Sequence, residues 1–398
     1  MTQDNKRPRI AYYSVNDPLD KRSWSGIPYY LGQSLQRNIG DVDFLGPVPI
    51  PYWLDKTLRG VAKLHRVLFG REFYTKYSLM LNWYAMRVLS RRLKRGSYDF
   101  IFAPASSPAL AFLRTSLPVL HLQDSTFRSY TGTYMEFKKA SRLSLFTGEL
   151  LERKALRKAD FIMYTSHWAA DSAINEYGFS PSRIFVRPFG ANMDFIPDSS
   201  MIYDKERNPT LTLLYLAVEW ERKGGSIAYD ALVHLRDRLG VDARLIVCGC
   251  TPPDAFKHPA VEVIPFLNKN KSEDHEVFVR LLSTSHFLLL PSRADCSLIV
   301  GCESNAYGMP AITSMTGGIP DLVVHGVNGY CLPYSAGGSA YAALIAEIYA
   351  DKPRYHALIA SSRRRFDECL TWDRWAEDFA RIYPGVLAAR LHSPATEP

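Results

Sequence analysis

No apolar run in this chain approaches the ~18–20 residues that a bilayer-spanning helix needs. The opening segment is equally poor in apolar residues. Residues 1–9 are polar and lead straight into a short strand pattern at Ile10–Val15, where a secretory signal would need an uninterrupted apolar stretch. Export is therefore not expected, and a cytoplasmic location is. Cysteine is scarce as well, six in 398 residues, and the Cys248-x-Cys250 pair has no Cys/His cluster of zinc spacing beside it. That excludes a disulfide-built scaffold and points to idle thiols in a reducing compartment. Internal repeats and low-complexity tracts are missing, which excludes solenoids and long linkers. Helix-turn-helix, zinc-finger and RNP-type signatures are missing too, so nucleic acid is not an expected partner despite the basic balance.

What is present is an ordinary globular composition, 47% hydrophobic and 22% charged, in a chain long enough for two domains. The pattern is strand, turn, helix, repeated, which argues for parallel sheets with helical crossovers. Strands are expected at Ile10–Val15, Phe100–Ala103, Val119–Leu122 and Phe161–Thr165. After them come Leu211–Ala217, Arg244–Cys248, Val261–Ile264, Phe287–Leu290 and Ala311–Thr313. Ser166 is placed to cap a helix over His167–Glu176. Between Pro188 and Pro209 the periodicity fades into Pro, Asn, Asp and Ser, which reads as a linker. The expected architecture is α/β, with two Rossmann-like domains facing across a cleft. Residues 1–190 form the first domain, 191–209 the linker, 210–371 the second domain and 372–398 a final helix and tail crossing back to the first. Ligands of such sheets lie outside the carboxyl ends of the strands.

The stretch from Pro291 to Pro333 carries most of the chemistry. It follows the apolar strand Phe287–Leu290 and holds Asp295 and Glu303, eight apart, one in a loop and one inside the next helix. A carboxylate among small residues on such a helix is costly to bury alone. A sugar or ribose diol would satisfy it; so would a helix cap or an arginine. Thr316-Gly317-Gly318-Ile319-Pro320 then forms a strand-to-helix turn whose glycines let backbone amides approach a phosphate. Gly326-Val-Asn-Gly329 reads as a tight turn. In the second domain's first turn, Glu221-Arg222-Lys223-Gly224-Gly225 puts a lysine just before a glycine-opened helix.

Taken together these residues resemble the donor-binding signature of the retaining family-four glycosyltransferases (group 1, GT-B fold). Their pattern is Glu, seven residues, Glu, a G-x-P and a Gly-Gly loop. Glu303 sits at the second glutamate, Gly308-Met-Pro310 at the G-x-P and Gly317-Gly318 at the loop. Arg183 to Asn192 resembles the family's linker-proximal segment, and Leu370-Thr-Trp372-Asp-Arg-Trp375 its closing helix. The resemblance implies a hexosyltransferase-like enzyme of cell-envelope or polysaccharide synthesis that moves a sugar from a nucleotide-sugar donor to a glycan or lipid-linked acceptor. It implies that Lys223 neutralises the diphosphate, with Arg222 beside it, and that Trp24-Ser25-Gly26 closes over the same group. It places Ser297 and Leu298 along the donor, next to Asp295. Asp295 replaces the usual first glutamate, and Cys296-Ser297-Leu298 replaces the usual Gly-Phe-Gly. Ala217 stands where the family often has an arginine. The family's acceptor-side histidine aligns with Gln123 or Asp124, and Asp124 is taken as the catalytic candidate. No enzyme nucleophile stands out.

Transferases that grip the diphosphate through a cation show an Asp-x-Asp at a strand end. The single such triplet here, Asp41-Val-Asp43, lies at the start of a strand and far in sequence from the phosphate-binding turns, so no metal or other cofactor is expected. A catalytically inactive sugar-nucleotide binder, and an epimerase or phosphorylase of the same fold, are the alternative readings.

The charge, +8 overall, is concentrated. From Lys56 to Arg95 there are Lys or Arg at 56, 59, 63, 66, 71, 76, 87, 91, 92, 94 and 95 against one acid, Glu72. Leu54, Leu58, Val61, Leu64 and Leu68 recur at helical spacing with Lys56, Arg59, Lys63 and Arg66 opposite. A second helix is expected over Phe73–Leu93. Basic amphipathic helices with Trp53, Phe69 and Trp83 nearby fit docking on an anionic membrane surface through residues 54–95, on the inner face of the membrane. A solvated crossover helix packing on the sheet is the other reading.

Overall fold

In the computed structural model, residues 7–392 are described; residues 1–6 and 393–398, which include the start of the polar segment and the end of the tail, lie outside the described residues. The chain divides into two compact units, the first of residues 1–187 with 375–398 and the second of residues 188–374.

The first unit is built on six parallel strands: β1 (Arg9–Tyr12), β2 (Asp41–Phe44), β3 (Phe100–Pro104), β4 (Val119–Gln123), β5 (Phe161–Tyr164) and β6 (Ile184–Val186). Their order is β2-β1-β3-β4-β5-β6. Every residue of β3, β4 and β5 is buried, as expected of strands covered on both faces, whereas the edge strands β2 and β6 are half-buried or exposed. Asp41 and Asp43 lie on edge strand β2, where Asp43 pairs with Arg9 at 2.9 Å. Ser166 caps the helix His167–Tyr177 by accepting from the Ala169 amide.

The second unit repeats the plan with β7 (Leu211–Leu216), β8 (Ala243–Cys248), β9 (Val261–Ile264), β10 (Phe287–Leu290), β11 (Ala311–Ser314) and β12 (Gly329–Leu332), in the order β12-β11-β10-β7-β8-β9. The strand order reverses between β7 and β10, which are direct neighbours. In a sheet of this kind the loops leaving two such strands diverge to opposite faces and leave a crevice. Residues 199–207, read from the sequence as linker, form a three-ten helix in this unit.

One sequence expectation changes, and one open reading gains detail. The helix expected over Phe73–Leu93 begins only at Leu79. Ahead of it Thr75–Tyr77 form a three-ten helix, and Glu72 forms an isolated bridge, its amide donating to the Lys139 carbonyl and its carbonyl accepting from the Ser141 amide. The helix Tyr52–Phe69 buries only Leu54 and Leu58 of its apolar stripe; Leu64 and Leu68 are 54% and 61% exposed.

The last helix, Trp372–His392, starts within the second unit, where the Trp372 indole donates to Asn192 at 2.8 Å. From Trp375 onward it belongs to the first unit. Trp375, Phe379 and Tyr383 recur every four residues and stack on one another, and they meet Phe100 and Phe102 of β3. Arg187 and Asp160 fasten the same helix through Asp378 and Arg390. Because Trp375 is fully buried, Trp375→Ala is expected to destabilise the first unit by about 3–5 kcal/mol. Denaturant unfolding followed by tryptophan-independent circular dichroism would show this; an unchanged midpoint would remove the helix from that core.

Candidate functional site

The carboxyl ends of the second unit's strands gather the charged residues that the sequence singled out. The turn after β7 carries Glu219 to Gly225, and the turn after β10 carries Pro291 to Leu298. Three contacts tie the two turns together. The Arg293 amide donates to the Arg222 carbonyl at 2.8 Å, the Arg222 guanidinium donates to the Ala294 carbonyl at 3.0 Å, and the Lys223 ammonium pairs with the Asp295 carboxylate. Gly224 makes the approach possible. Its φ is +73°, and a Cβ there would stand 2.0 Å from the Pro291 carbonyl oxygen. A side chain at this position would therefore be both strained and obstructed. A second guanidinium nitrogen of Arg222 pairs with Glu219 at 2.6 Å, so the side chain braces the two turns.

The Gly-Gly turn after β11 closes on the same place. Gly317 has φ +52°, and a Cβ on it would lie 1.9 Å from the Asp295 carbonyl oxygen. Gly318 precedes the four-residue helix Ile319–Leu322. Lys223, Asp295, Gly317 and Gly318 are thus brought together at the switch point, with Arg222 behind them. Ser297 is half-buried in the turn leading to the helix Ile299–Ala306. Leu298 is fully buried, so it packs beneath the turn and leaves Ser297 as the more accessible of the two.

Glu303 sits inside that helix, with Asp295 in the loop before it. It is buried to 1% exposure. Its partner is a residue absent from the sequence reading: Lys269, from the loop between β9 and the next helix, donates to Glu303 Oε1 at 2.5 Å. Lys269 also reaches the Asn192 carbonyl at 3.4 Å and stands 4.4 Å from the centre of the Phe278 ring. Burial pushes the Glu303 carboxyl above the ordinary range, and Lys269 pulls it back. The second carboxylate oxygen, Oε2, is buried with no hydrogen-bond partner among the described residues. A buried carboxylate oxygen left in this state is costly, and a hydroxyl donor would relieve the cost. Nothing in the sequence links Lys269 to Glu303, which are 34 residues apart on different strand connections.

In the first unit, Trp24, Ser25 and Gly26 follow one another at φ 45°, 58° and 91°, directly before the helix Ile27–Asn38. The two non-glycine residues each hold a conformation costing roughly 1–2 kcal/mol. This strained turn follows β1, whose neighbours β2 and β3 mark the first sheet's own reversal of order. Asp124 follows β4 and precedes the helix Phe127–Thr133, whose start is fixed by a capping box between Thr126 and Ser129. His121, two residues inside β4, is no candidate base. Burial lowers its pKa to about 4, and its Nδ1 bonds the Ala103 carbonyl at 2.6 Å. Glu152, unremarked in the sequence, is buried against Ser107, and desolvation raises its pKa to about 7. Among the described residues, no three His, Cys, Asp or Glu side chains are grouped to hold a metal ion, and no helix is long and apolar enough to cross a membrane.

Two family profiles match the chain: "Glycosyltransferase Family 4" over residues 29–195 and "Glycosyl transferases group 1" over residues 203–365. The second covers the whole of the Lys223, Asp295 and Glu303 constellation. A GDP-mannose-dependent alpha-(1-6)-phosphatidylinositol dimannoside mannosyltransferase of Mycobacterium tuberculosis is 28% identical over 252 residues, 59% of this chain and 63% of that one. A D-inositol 3-phosphate glycosyltransferase of Streptomyces avermitilis is 30% identical over 299 residues, 70% of this chain and 63% of that one. The matches therefore span less than two thirds of either relative's length. The crystal structure of HepE from Anabaena in complex with UDP superposes with a TM-score of 0.63 at 15% identity, covering 95% of this chain and 100% of that one, and so shares its GT-B fold.

Side chains of Lys223 and Asp295 are 14% and 7% exposed, so removing either alone leaves a poorly solvated charge. Lys223→Ala is expected to lower stability by about 1–3 kcal/mol, and the double variant Lys223→Ala/Asp295→Ala to recover part of that loss. A thermal-unfolding cycle measures both. Strict additivity would mean that the pair does not interact.

Proposed function

Since the chain belongs to the group 1, family-four glycosyltransferases, we propose that it moves a sugar, with retention of anomeric configuration, from a nucleoside-diphosphate sugar to a hydroxyl of a lipid-linked glycan acceptor. The observation that carries this reading is the Lys223–Asp295 pair at the switch point of the second sheet, beside two glycines, Gly224 and Gly317, whose positive φ and close backbone approach disfavour any side chain. A diphosphate entering there takes over the Lys223 ammonium and releases Asp295 to accept from a hydroxyl of the transferred sugar. Glu303 offers Oε2 to a diol. As C1–O cleavage proceeds, negative charge grows on the departing phosphate next to Lys223. The acceptor oxygen bonds C1 on the face the phosphate leaves, and its proton passes to a phosphate oxygen. Asp124 and the Trp24–Gly26 turn are assigned to the acceptor side and to the diphosphate, respectively. The names of the relatives leave the base open, since one is GDP-dependent and HepE was crystallised with UDP.

A lipid-linked acceptor is favoured by the helix Tyr52–Phe69. Its second half leaves Leu64, Val67, Leu68 and Phe69 from 54% to 72% exposed, beside Lys63 and Arg66. Apolar side chains held in water on a basic helix are those of a surface that lies in the headgroup region of an anionic membrane, where each cation adds about 1 kcal/mol. Arg59 and Arg66 are already paired with Asp55 and Glu72, so the apolar residues supply the larger share.

Steady-state kinetics against donor, at saturating acceptor, tests the assignment of roles. Charge on the leaving group grows in the transition state, whereas the diol is held about equally throughout. Lys223→Ala is expected to lower kcat by about 10²–10³, and Glu303→Ala mostly to raise the KM for donor. Turnover of Lys223→Ala at the native rate would leave the family fold without this mechanism. For the membrane surface, the protein is expected to co-sediment with anionic vesicles at low salt and to release as salt rises. Val67→Asp/Leu68→Asp is expected to abolish the binding, and equal binding to neutral vesicles would refute the electrostatic part.

A further inference from the structure

We infer that Lys269 is a positioning residue of the donor site: it holds Glu303 as a carboxylate with one oxygen occupied, so that the other, Oε2, accepts from a vicinal diol of the bound nucleotide sugar. The inference rests on the nucleotide-sugar reading above, and it concerns a residue that the signature motifs do not include.

The argument begins with the cost of burial. Glu303 is 1% exposed, in a helix of small and apolar residues, and a carboxyl group in such surroundings favours its neutral form. A neutral carboxyl would keep a proton on one oxygen, and its remaining lone pairs would be weak acceptors for a diol. Few cations are placed to prevent this. Arg363 donates to the Pro197 and Ala306 carbonyls, Arg365 lies toward Cys302 and Cys369, and Lys205 donates to the Ile202 and Tyr307 carbonyls. On Glu303's own helix and its end, Cys302 and Tyr307 are neutral, their ionisation suppressed chiefly by burial and further by Glu303. Lys269 alone among these groups bonds the carboxylate itself.

Lys269 is in turn held by what surrounds it. Its ammonium meets Glu303 Oε1, the Asn192 carbonyl and the face of Phe278. The Asn192 side chain is fixed by the Trp372 indole. The ammonium therefore reaches one oxygen and leaves the other, and the unpartnered oxygen is the one available to a ligand. An arginine could serve the same purpose, whereas a neutral side chain could not.

The test measures the Kd of UDP, GDP and their glucose and mannose conjugates by calorimetry between pH 6 and pH 8.5, for the native protein, Lys269→Met, Lys269→Gln and Lys269→Arg. Dividing by the native value at each pH cancels the nucleotide's own titration. With Lys269→Met, the carboxyl protonates as pH falls, and affinity is expected to drop by up to about tenfold per pH unit below its new pKa. Lys269→Gln is expected to behave alike, so the result stands if one of the two fails to fold. Lys269→Arg is expected to track the native protein. An effect already present with UDP or GDP identifies the diol as the ribose; one confined to the conjugates identifies it as the sugar. Pairs that only brace the fold would lower the melting temperature of Lys269→Met and leave its pH profile parallel to the native one, and that outcome would overturn the inference. Failure of the native protein to bind any of these nucleotides and conjugates would overturn the donor reading and the inference with it.

Discussion

The second unit depends on one constraint, the tie between the turns that leave β7 and β10. Neighbouring parallel strands whose connections run to opposite faces would, left alone, let their loops splay. Here main-chain and guanidinium hydrogen bonds join the two loops at Arg222, Arg293 and Ala294. The absence of a side chain at Gly224 lets them touch. Only because the loops are held this closely does a lysine from one stand against a carboxylate from the other with both largely shielded from water. A pair in that state is poised: the low local dielectric makes each charge seek a partner, and a ligand carrying both an anion and hydroxyls can exchange with the pair without exposing either member.

Much of the fold was legible because parallel strands covered on both faces are written as unbroken apolar runs. Phe287–Leu290 and Phe161–Tyr164 stand out for that reason, and two consecutive α/β series imply two sheets. The edges were harder. Gly329–Leu332 follows a turn and contributes four residues, of which the first is a glycine, so the turn concealed the strand. Ile184–Val186 is three residues long and half-buried, too short for any periodicity to register. Local pattern also failed at 73–78. Those residues look helical in sequence, but Thr75–Tyr77 wind into a three-ten turn, the Tyr77 amide donating to Tyr74 and the Ser78 amide to Thr75, and the α-helix starts only after them.

At the candidate site, spacing along the chain reached the loop acid, the helix acid, the lysine and the glycines, because each lies next to a strand end and such ends converge. It did not reach Lys269. A lysine in Asn268-Lys-Asn-Lys271 looks like any solvated loop cation, and only the packing of one strand connection over another turns it inward. Nor could it separate Arg222 from Lys223. The two are adjacent and of equal charge, yet one braces the backbone and the other faces the crevice. Spacing likewise could not say that half of the 52–69 helix lacks a covering surface, since an amphipathic stripe looks the same whether or not something packs on it.

The last helix has a bearing on how the molecule is made. The first unit is not contiguous in sequence: the aromatic ladder of Trp375, Phe379 and Tyr383 that completes its core against Phe100 and Phe102 is encoded after the whole of the second unit. During synthesis from the amino terminus, the usual order in which the earlier domain folds first is therefore inverted. The second unit can complete its sheet once residue 374 has emerged. The first waits, its β3 aromatics lacking their cover, until the ribosome has released the helix that closes it.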